Sequence, residues 1–590
     1  MTKTLVVVES PSKQEKIQEI LGSNYSVLAT FGHIADLPPN KMGIDVNNNF
    51  KPTYVLMRDK ISVLQSILDE AGKCDDIIIC SDPDREGERI AWDINRYLTN
   101  LNKPISRALL MEITKKGIKD GIINKKEIDQ NLVSSQSHRR IIDRLVGFSC
   151  SPYLTNHYGS NLSAGRVQSS VVKLIVDLEK KIEDFKSEEF WNISAEFCTK
   201  DKEIFHSKYE GKIKNKEDAE LVLNEIKNEE GFNVSSVIAK DKPKAPNPPL
   251  ITVKLQQIMA KEYGFDAERS MKSMQSLYEN GLITYLRTDS VRISEEALIS
   301  SREYLKSKGF SIPKKPNSYE DKGNAQAGHE CIRPTNLDTT PEAKILLGDD
   351  ALVYKTIYEC FLASQMLPSI YSTLQIKIVG IKNKNLMFKT SGKAIKELGF
   401  LAIFGNKSVE KLDLPLLMDN ELVNINSDKI KSEQKFTQPP SRYNDASILE
   451  ELEVKGIGRP ATYANIIKTI TGRNYVEKNA QSFVPTKLGR DITELLEKSF
   501  SFVNHNYTRK MELRLDQIAE GKLKSLDVLN EFYSSFKKEL EFAYTMDGSD
   551  ICICGDGVML RRKSKSGSDF FGCSKYPNCR VTKSIDDSDK

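Results

Sequence analysis

The sequence predicts a multidomain protein of mixed α/β and α+β class, and three observations carry the prediction. A chain of 590 residues exceeds the roughly 250–300 at which a single hydrophobic core stops growing, so it divides into several domains. Its opening stretch alternates apolar strand runs with amphipathic helix patterns, the order that builds a parallel sheet. Four of its 10 cysteines crowd at the C-terminal end, while the other six, Cys74, Cys80, Cys150, Cys198, Cys331 and Cys360, are scattered as reduced thiols are. With 39% hydrophobic and 28% charged residues the composition is that of a soluble globular protein. Lys and Arg number 86 against 82 Asp and Glu, a net +4, so any affinity for nucleic acid must come from local patches. No apolar run approaches the roughly 18 residues that span a bilayer, and the run at 5–8 is shorter than a secretory core of about 7 residues, which places the expected protein in the cytoplasm.

In chain order, LVVV at 5–8 reads as a buried parallel strand that ends on Glu9, with Ser-Pro and then Lys13 opening a helix. Val63, Leu64, Ile67 and Leu68 mark one helix face, Ile77-Ile78-Ile79 a second buried strand, and Ile90, Ile94 and Leu98 another helix. Between that strand and helix lies SDPDREGE at 81–88. Asp82, Asp84 and Glu86 alternate, so an extended segment projects them to one side beside Glu9. An all-oxygen cluster without His or Cys suits Mg²⁺, and a solvated acidic turn is the alternative. The pattern resembles the Toprim domain, in which a strand-end Glu and a DxDxE loop bind Mg²⁺. His33 sits in a Gly-containing loop, TFGHIADLP, and ranks below the acids on sequence alone.

SHRRIIDR at 137–144 puts Arg139, Arg140 and Arg144 on a helical pattern with Asp143 able to orient a guanidinium. LSAGRVQS at 162–169 follows, where Ser163, Ala164, Gly165 and Val167 allow close backbone approach and Arg166 and Gln168 supply donors. Together they suit a groove that tracks a phosphodiester strand; a surface salt-bridge helix is the bland reading of the first. The Pro-rich 241–250 reads as a linker, helical patterns follow at 256–263 and 270–278, and Gly281 stops the second. An extended 282–287 then presents Tyr285 and Arg287 on one side. QAGHECIR at 326–333 contributes His329 and Arg333. Near the end, helical patterns at 447–455 and 461–470 flank GIGRP, whose glycines, with Arg459 and Arg473, make either a phosphate seat or a structural helix–turn–helix.

Over nearly its whole length the chain resembles the type IA DNA topoisomerases, their bacterial topoisomerase I branch in particular. The strings that carry this are VVVESPSK, FGHIADLP, SDPDREGERIAW, MEIT, SHRRIIDRLVGF, LSAGRVQS, GLITYLRTDS, AGHECIRPT and PPSRYNDASILEELEVKGIGRPATYANII. The resemblance implies a torus with a central hole. Residues 1–128 form its Toprim domain, 129–185 and 438–548 a helical DNA-binding domain, 186–245 and 370–437 a β-rich arch, and 246–369 a gate domain carrying the tyrosine. A zinc-ribbon tail occupies 549–590. It implies ATP-independent relaxation of negatively supercoiled DNA by a monomer that cuts one strand through a 5′-phosphotyrosyl link, passes the other and reseals. Single-stranded and negatively supercoiled DNA are then the partners, with the enzyme in the cytoplasm, nucleoid-associated if bacterial.

A phenol with a pKa of about 10 is a weak nucleophile at neutral pH, yet a phosphotyrosine conserves the bond energy needed for resealing. That agrees with the lack of a GxxxxGK[ST] loop and with no need for ATP. In this frame Tyr285 is the nucleophile, Arg287 stabilises charge, Lys13 is the candidate proton donor to the departing 3′ oxygen, and Glu9 serves near that same oxygen. Glu9, Asp82, Asp84 and Glu86 hold Mg²⁺. His33, Arg139, Arg140, Asp143, residues 163–168, Arg287, His329, Arg333, Arg459 and Arg473 bind DNA. Two departures stand out. Val253-Lys254 replaces small hydroxyl residues, and the first zinc knuckle is Cys552-Ile-Cys554, one residue shorter than C-x-x-C, which strains the turn that pairs with Cys573 and Cys579 on Zn²⁺. Arg561, Arg562, Lys563 and Lys565 with Phe570, Phe571 and Tyr576 suit single-strand binding by charge and stacking.

Overall fold

The computed structural model describes residues 3–158, 162–321, 329–405, 409, 412–546, 552–554, 559–564, 569–573, 576 and 579–584. The continuous apolar runs do become parallel strands. β1 (Thr4–Val8) pairs on one side with β2 (Tyr25–Ala29) and on the other with β3 (Asp76–Cys80), which pairs in turn with β4 (Ile105–Arg107), all parallel. The strand order β2-β1-β3-β4 reverses direction between β1 and β3, and this is where an open parallel sheet exposes a ligand crevice beyond its carboxyl ends. Glu9 and Ser81 follow those two strands directly.

Strand alternation explains why the runs are apolar throughout. Leu5, Val7, Ile77 and Ile79 pack under α2 (Ile61–Lys73) and α3 (Arg85–Leu98), the two helices that follow α1 (Pro11–Leu21) in the chain, in one core. Val6, Val8, Ile78 and Cys80 face the other side, where they share a second core with Leu277, Tyr278, Tyr285 and Ile332 from the middle of the chain. The tyrosine segment is thus joined to the sheet by apolar contact as well as by polar groups.

The helical part brings the long helix Gln130–Tyr158, with Pro152 inside it, against Arg166–Glu183 and the helices of the C-terminal half in a third core. A seven-stranded sheet takes strands from 189–209, 232–244, 369–397 and 422–436. Its strand Ile204–Tyr209 pairs with both Glu189–Cys198 and Met387–Glu397, which closes six strands into a ring at one end of the sheet. Two of its strands, Phe232–Lys244 and Ser369–Gly380, run antiparallel down to the pair Lys244–Ser369, and everything from 245 to 368 hangs from that ribbon. The Pro-rich linker expected at 241–250 is therefore strand through Lys244, with Pro243 opposite Ile370; Pro lacks a donor but still fits a ribbon where its nitrogen faces away from the ladder. Among the described residues no helix is long and apolar enough to cross a membrane.

The loop after β3 is held from below by Arg107 at the end of β4. This guanidinium, fully buried, pairs with Glu88 at 2.9 Å and donates to the carbonyls of Asp82 (2.7 Å) and Ala108 (2.6 Å). Removing one partner of a buried ion pair leaves a stranded charge and typically costs about 3–5 kcal/mol. Arg107→Met is expected to destabilise the sheet domain by that order, read as an earlier first transition in thermal or urea unfolding; an unmoved transition would show the pair to be dispensable.

Candidate active site

The acidic loop is not extended. Asp84 is the N-cap of α3: its Oδ1 accepts from the Gly87 N–H at 2.8 Å, so Glu86 lies on the first helical turn instead of alternating with Asp82 and Asp84. The Gly87 position admits no side chain, since a Cβ there would lie 2.0 Å from the Asp82 carbonyl oxygen. The helix start therefore divides the acids. Asp82 is buried in an ion pair with Lys13, which also stands over the Tyr278 ring at 5.0 Å. Glu86 Oε2 is engaged by His33 Nε2 at 3.1 Å and by the Gln136 amide at 2.9 Å.

The second oxygen of Asp84 faces the tyrosine. Tyr285 donates its phenol proton to Asp84 Oδ2 at 2.6 Å, and Arg287 Nη1 reaches the same oxygen at 3.2 Å and Asp82 Oδ2 at 3.7 Å. The segment that carries both is a string of turns and bends where an extended run is expected. Gly281, at φ +66°, sets its entry with the Ile113 carbonyl oxygen 2.2 Å from where a Cβ would stand. Bridges and hydrogen bonds then fix it: Ile283 to Pro334, Thr284 Oγ1 to the Cys331 carbonyl (2.8 Å), and Tyr285 N–H to the Met111 carbonyl (2.8 Å). The Tyr285 ring meets Tyr278 edge-on at 5.3 Å and His329 at 5.7 Å.

Electrostatics follow from these contacts. Burial, then Asp84 and Asp82, raise the Tyr285 phenol well above its ordinary value, with Arg287 acting against them. Burial also opposes charge on Asp84, but Arg287 and the hydrogen bonds from Tyr285 and Gly87 outweigh it and keep the acid below its usual range. For Glu9 the opposing charges of Lys13 and Arg287 do not suffice. Burial first, then the charges of Asp82 and Asp84, push it from 4.5 up to about 7. Burial disfavours a charged His33 ring, yet the Glu86 contact prevails and raises its pKa. The excess negative charge around Glu9 and the all-oxygen donor set fit a hard divalent cation better than a softer one.

The remaining candidates divide into exposed and internally paired groups. Arg140 grips Asp36 at 2.6 and 3.0 Å, and Arg144 donates to the carbonyls of Leu37 and Pro38, so the basic helix orders the His33 loop. Arg166, expected as an exposed phosphate donor, is fully buried between Asp143 (3.2 Å) and Glu512 (2.8 Å); the helix it opens packs on the third core and carries it inward. Arg139 pairs with Glu512, and Arg459 with Asp516. Ser163 is clamped at N–H and carbonyl by Tyr475 Oη (3.0 and 2.9 Å), Ala164 N–H donates to Ser151 Oγ (3.1 Å), and Gly165 caps the helix while Val167 packs on its core. Gln168, its amide oxygen turned to Arg473, accepts from it at 3.2 Å. His329 is buried and donates to the Pro83 carbonyl at 2.7 Å, holding the acidic loop from the tyrosine side, and Arg333 pairs with Glu330 (2.8 Å) and Glu112 (3.5 Å) away from the phenol. Residues 326–328 and Lys565 lie outside the described residues.

Sequence reasoning missed Arg107, Tyr278, Glu512 and Asp516. The last two stand one turn apart on the helix His505–Ala519 and collect the arginines of the groove. Burial works against the Glu512 charge, but Arg139, Arg166 and Arg459 overcome it and bring its pKa down to about 2. A cavity of about 310 Å³ opens here, with Asp84, Arg287, Arg139, Arg459 and Asp516 in its wall.

In the tail a three-stranded antiparallel sheet brings Cys552, Cys554, Cys573 and Cys579 together, their sulfurs all within 4.8 Å of one another. The pairs Cys552–Cys579 and Cys554–Cys573 are each 3.7 Å apart, close to the edge of a tetrahedron with Zn–S bonds of about 2.3 Å. The short Cys552-Ile-Cys554 turn, where strain is expected, still brings both of its thiols into the set. Among the other tail residues Arg562 donates to the Cys573 carbonyl at 3.4 Å, and Tyr576 is exposed.

Comparison with known proteins agrees with this geometry. The family model described as DNA topoisomerase matches residues 127–530, the Toprim domain matches 4–113, and the topoisomerase DNA-binding C4 zinc finger matches 553–588. Among solved structures, full-length topoisomerase I from Thermotoga maritima superposes with a TM-score of 0.81 at 33% identity, covering 99% of this chain and 98% of that one.

Two outcomes follow from the electrostatics and the thiol cluster. In metal-free protein Glu9 is expected to gain its proton below about pH 7, seen by infrared difference spectroscopy against Glu9→Gln. Since its folded pKa lies above the ordinary carboxylate value, it favours the folded state at low pH and that contribution is lost as pH rises from about 4.5 to about 7. Bound Mg²⁺ should move the midpoint down, and a midpoint near 4.5 without metal would contradict the reading. For the tail, elemental analysis is expected to find zinc at one atom per chain, lost in Cys573→Ser; a wild-type protein free of zinc would exclude the ribbon's metal.

Proposed function

The chain belongs to the type IA DNA topoisomerases, of the bacterial topoisomerase I kind, and from that membership we propose the part each residue of this site plays. The family's reaction is cleavage of one DNA strand, passage of another and religation, with relaxation of negative supercoils as the typical activity. The observation that carries the residue assignment is the Tyr285–Asp84 hydrogen bond with Arg287 on the same oxygen.

In the proposed step the Tyr285 oxygen attacks a backbone phosphorus and the bond from phosphorus to the 3′ oxygen breaks, leaving a 5′-phosphotyrosyl link. The phenol proton passes to Asp84, already its acceptor, and Arg287 stabilises first the phenolate and then the phosphoryl oxygens. Glu9, raised to about 7 before a cation binds, gives its proton to the departing 3′ oxygen and is then free to hold the cation. Lys13, buried against Asp82, fixes that carboxylate and adds positive charge. Resealing is the reverse, with Glu9 as base, and no nucleotide is consumed. Glu9, Asp82 and Asp84 would hold Mg²⁺, which when bound neutralises the acids and positions phosphates; Glu86, its Oε2 already shared by His33 and Gln136, orients His33 toward the strand. Single-stranded DNA held in the cavity and along Gly165, Gln168, Arg459 and Arg473 is the proposed substrate, handled by a monomer.

Incubation with end-labelled single-stranded oligonucleotide and Mg²⁺, followed by denaturant, is expected to trap a covalent adduct carrying a 5′ phosphate on Tyr285. Tyr285→Phe should form none while binding within a few-fold of wild type, and Arg287→Ala should slow adduct formation by about 10²–10³, the cost of one preorganised charge donor. An adduct in Tyr285→Phe would remove the nucleophile assignment.

A further inference from the structure

The two carboxylates on helix His505–Ala519 hold arginines in different ways. Glu512 and Arg166 are both fully buried, so this pair is permanent: withdrawing Glu512 would leave Arg139 without its carboxylate and Arg166 with only Asp143, away from water. Asp516 stands at the cavity wall with its side chain 10% exposed. Its Oδ1 accepts from Arg85 Nη2 at 2.5 Å and its Oδ2 pairs with Arg459 Nη2. Arg85 comes from the first turn of α3 and Arg459 from the N-cap of helix Pro460–Gly472, and both also face the cavity. Two guanidiniums converging from opposite sides on the two oxygens of one anion is the arrangement that the non-bridging oxygens of a phosphodiester call for. Asp84 and Arg287, the partners of Tyr285, stand in the wall of the same cavity.

We propose that Asp516 is a resident surrogate for a DNA phosphate: it keeps Arg85 and Arg459 paired and aimed, and gives up its place to the backbone phosphate beside the one Tyr285 attacks. The inference rests on the reading of Tyr285 as the nucleophile. Exchange of one anion for another spares the arginines an unpaired state, and at the wall Asp516 can turn to water. The entering strand gains less than it would from a bare arginine pair, so its hold is moderated by a residue that touches no DNA.

Binding of a labelled single-stranded oligonucleotide in Mg²⁺-free buffer, measured by fluorescence anisotropy across a salt series, tests this. Asp516→Asn keeps the side-chain shape and removes the charge. It is expected to bind several-fold more tightly at low salt, with the slope of log affinity against log salt steeper by up to about 0.7, one phosphate contact on a single strand. Equal or weaker binding by a variant with the wild-type melting curve would overturn the proposal, as it would mean that Asp516 only orients the arginines. Should Asp516→Asn fail to fold, Arg85→Gln decides: a slope shallower by about 0.7 supports the phosphate seat and a wild-type slope refutes it. The wild-type control separates the underlying reading, since a wild-type protein that binds the oligonucleotide but forms no adduct with Mg²⁺ would overturn the nucleophile assignment whatever the variants do.

Discussion

The Asp84 carboxylate ties local folding to chemistry. One oxygen caps α3 and the other accepts a hydrogen bond from a phenol 201 residues away. Because the cap fixes the first oxygen, the second has little freedom, and the tyrosine is met by an acceptor already aimed at it. The surroundings serve that contact. Arg107 holds the loop's carbonyls from below, His329 holds Pro83 from the side, Lys13 neutralises Asp82, and Arg287 shares the Asp84 oxygen. What is left uncompensated collects on Glu9, which explains why a carboxyl at the end of a strand keeps a proton to about pH 7.

The same contacts define a closed state. For a strand to pass, the segment bearing Tyr285 has to leave the sheet that bears Asp84, and the seam between them is both apolar and polar. Val6, Val8 and Ile78 share their core with Leu277, Tyr278 and Ile332. Tyr278 donates to the Leu110 carbonyl at 2.6 Å, Arg333 lies 3.5 Å from Glu112, and Lys116 pairs with Glu296. The ribbon of Phe232–Lys244 and Ser369–Gly380 stays hydrogen-bonded throughout its length and offers the natural tether. Closure thus protonates and buries the phenol by the same contacts that position it. On the proposed reading, a resting enzyme with its gate shut holds in Tyr285 a nucleophile that is placed but not yet charged, and DNA phosphates with a bound cation would supply the field that changes this.

Much of this was legible in the sequence where chain-local rules decide. The apolar runs of β1 and β3, the helix starts at Pro11 and Pro460, and the C-caps at Gly264 and Gly456, both with positive φ, follow from periodicity and capping. Recognisable strings located Glu9, Asp82, Asp84, Tyr285 and Arg287, and the fold brings Asp82, Asp84, Tyr285 and Arg287 into contact. What could not be read depends on pairing between distant segments. Arg107 ends a three-residue strand with no pattern of its own, and Glu512 looks like one acid on an ordinary amphipathic helix until three arginines from other segments converge on it. The acidic loop was misread as extended because alternation is a rule for strands, and the Asp84 cap turns the chain helical one residue later. The spacing of the thiol turn predicts strain because it does not say how the sulfurs of distant cysteines will gather around it.

The small net charge, +4 on 590 residues, is consistent with handling a polyanion once the groove's pairings are counted. Arg140 is matched by Asp36, Arg166 by Asp143 and Glu512, and Arg85 with Arg459 by Asp516. A groove of bare guanidiniums would repel itself in the free protein and would hold a strand with an affinity that grows with every phosphate neutralised. An enzyme that must release its resealed product each cycle gains from cations that are already paired, because binding is then an exchange of partners whose net free energy is small and whose geometry is set beforehand. On the proposed reading the acids interleaved with the arginines belong to the DNA groove as much as the arginines do, and composition alone hides the groove because acids such as Glu512 and Asp516, each shared by several arginines, offset its charge.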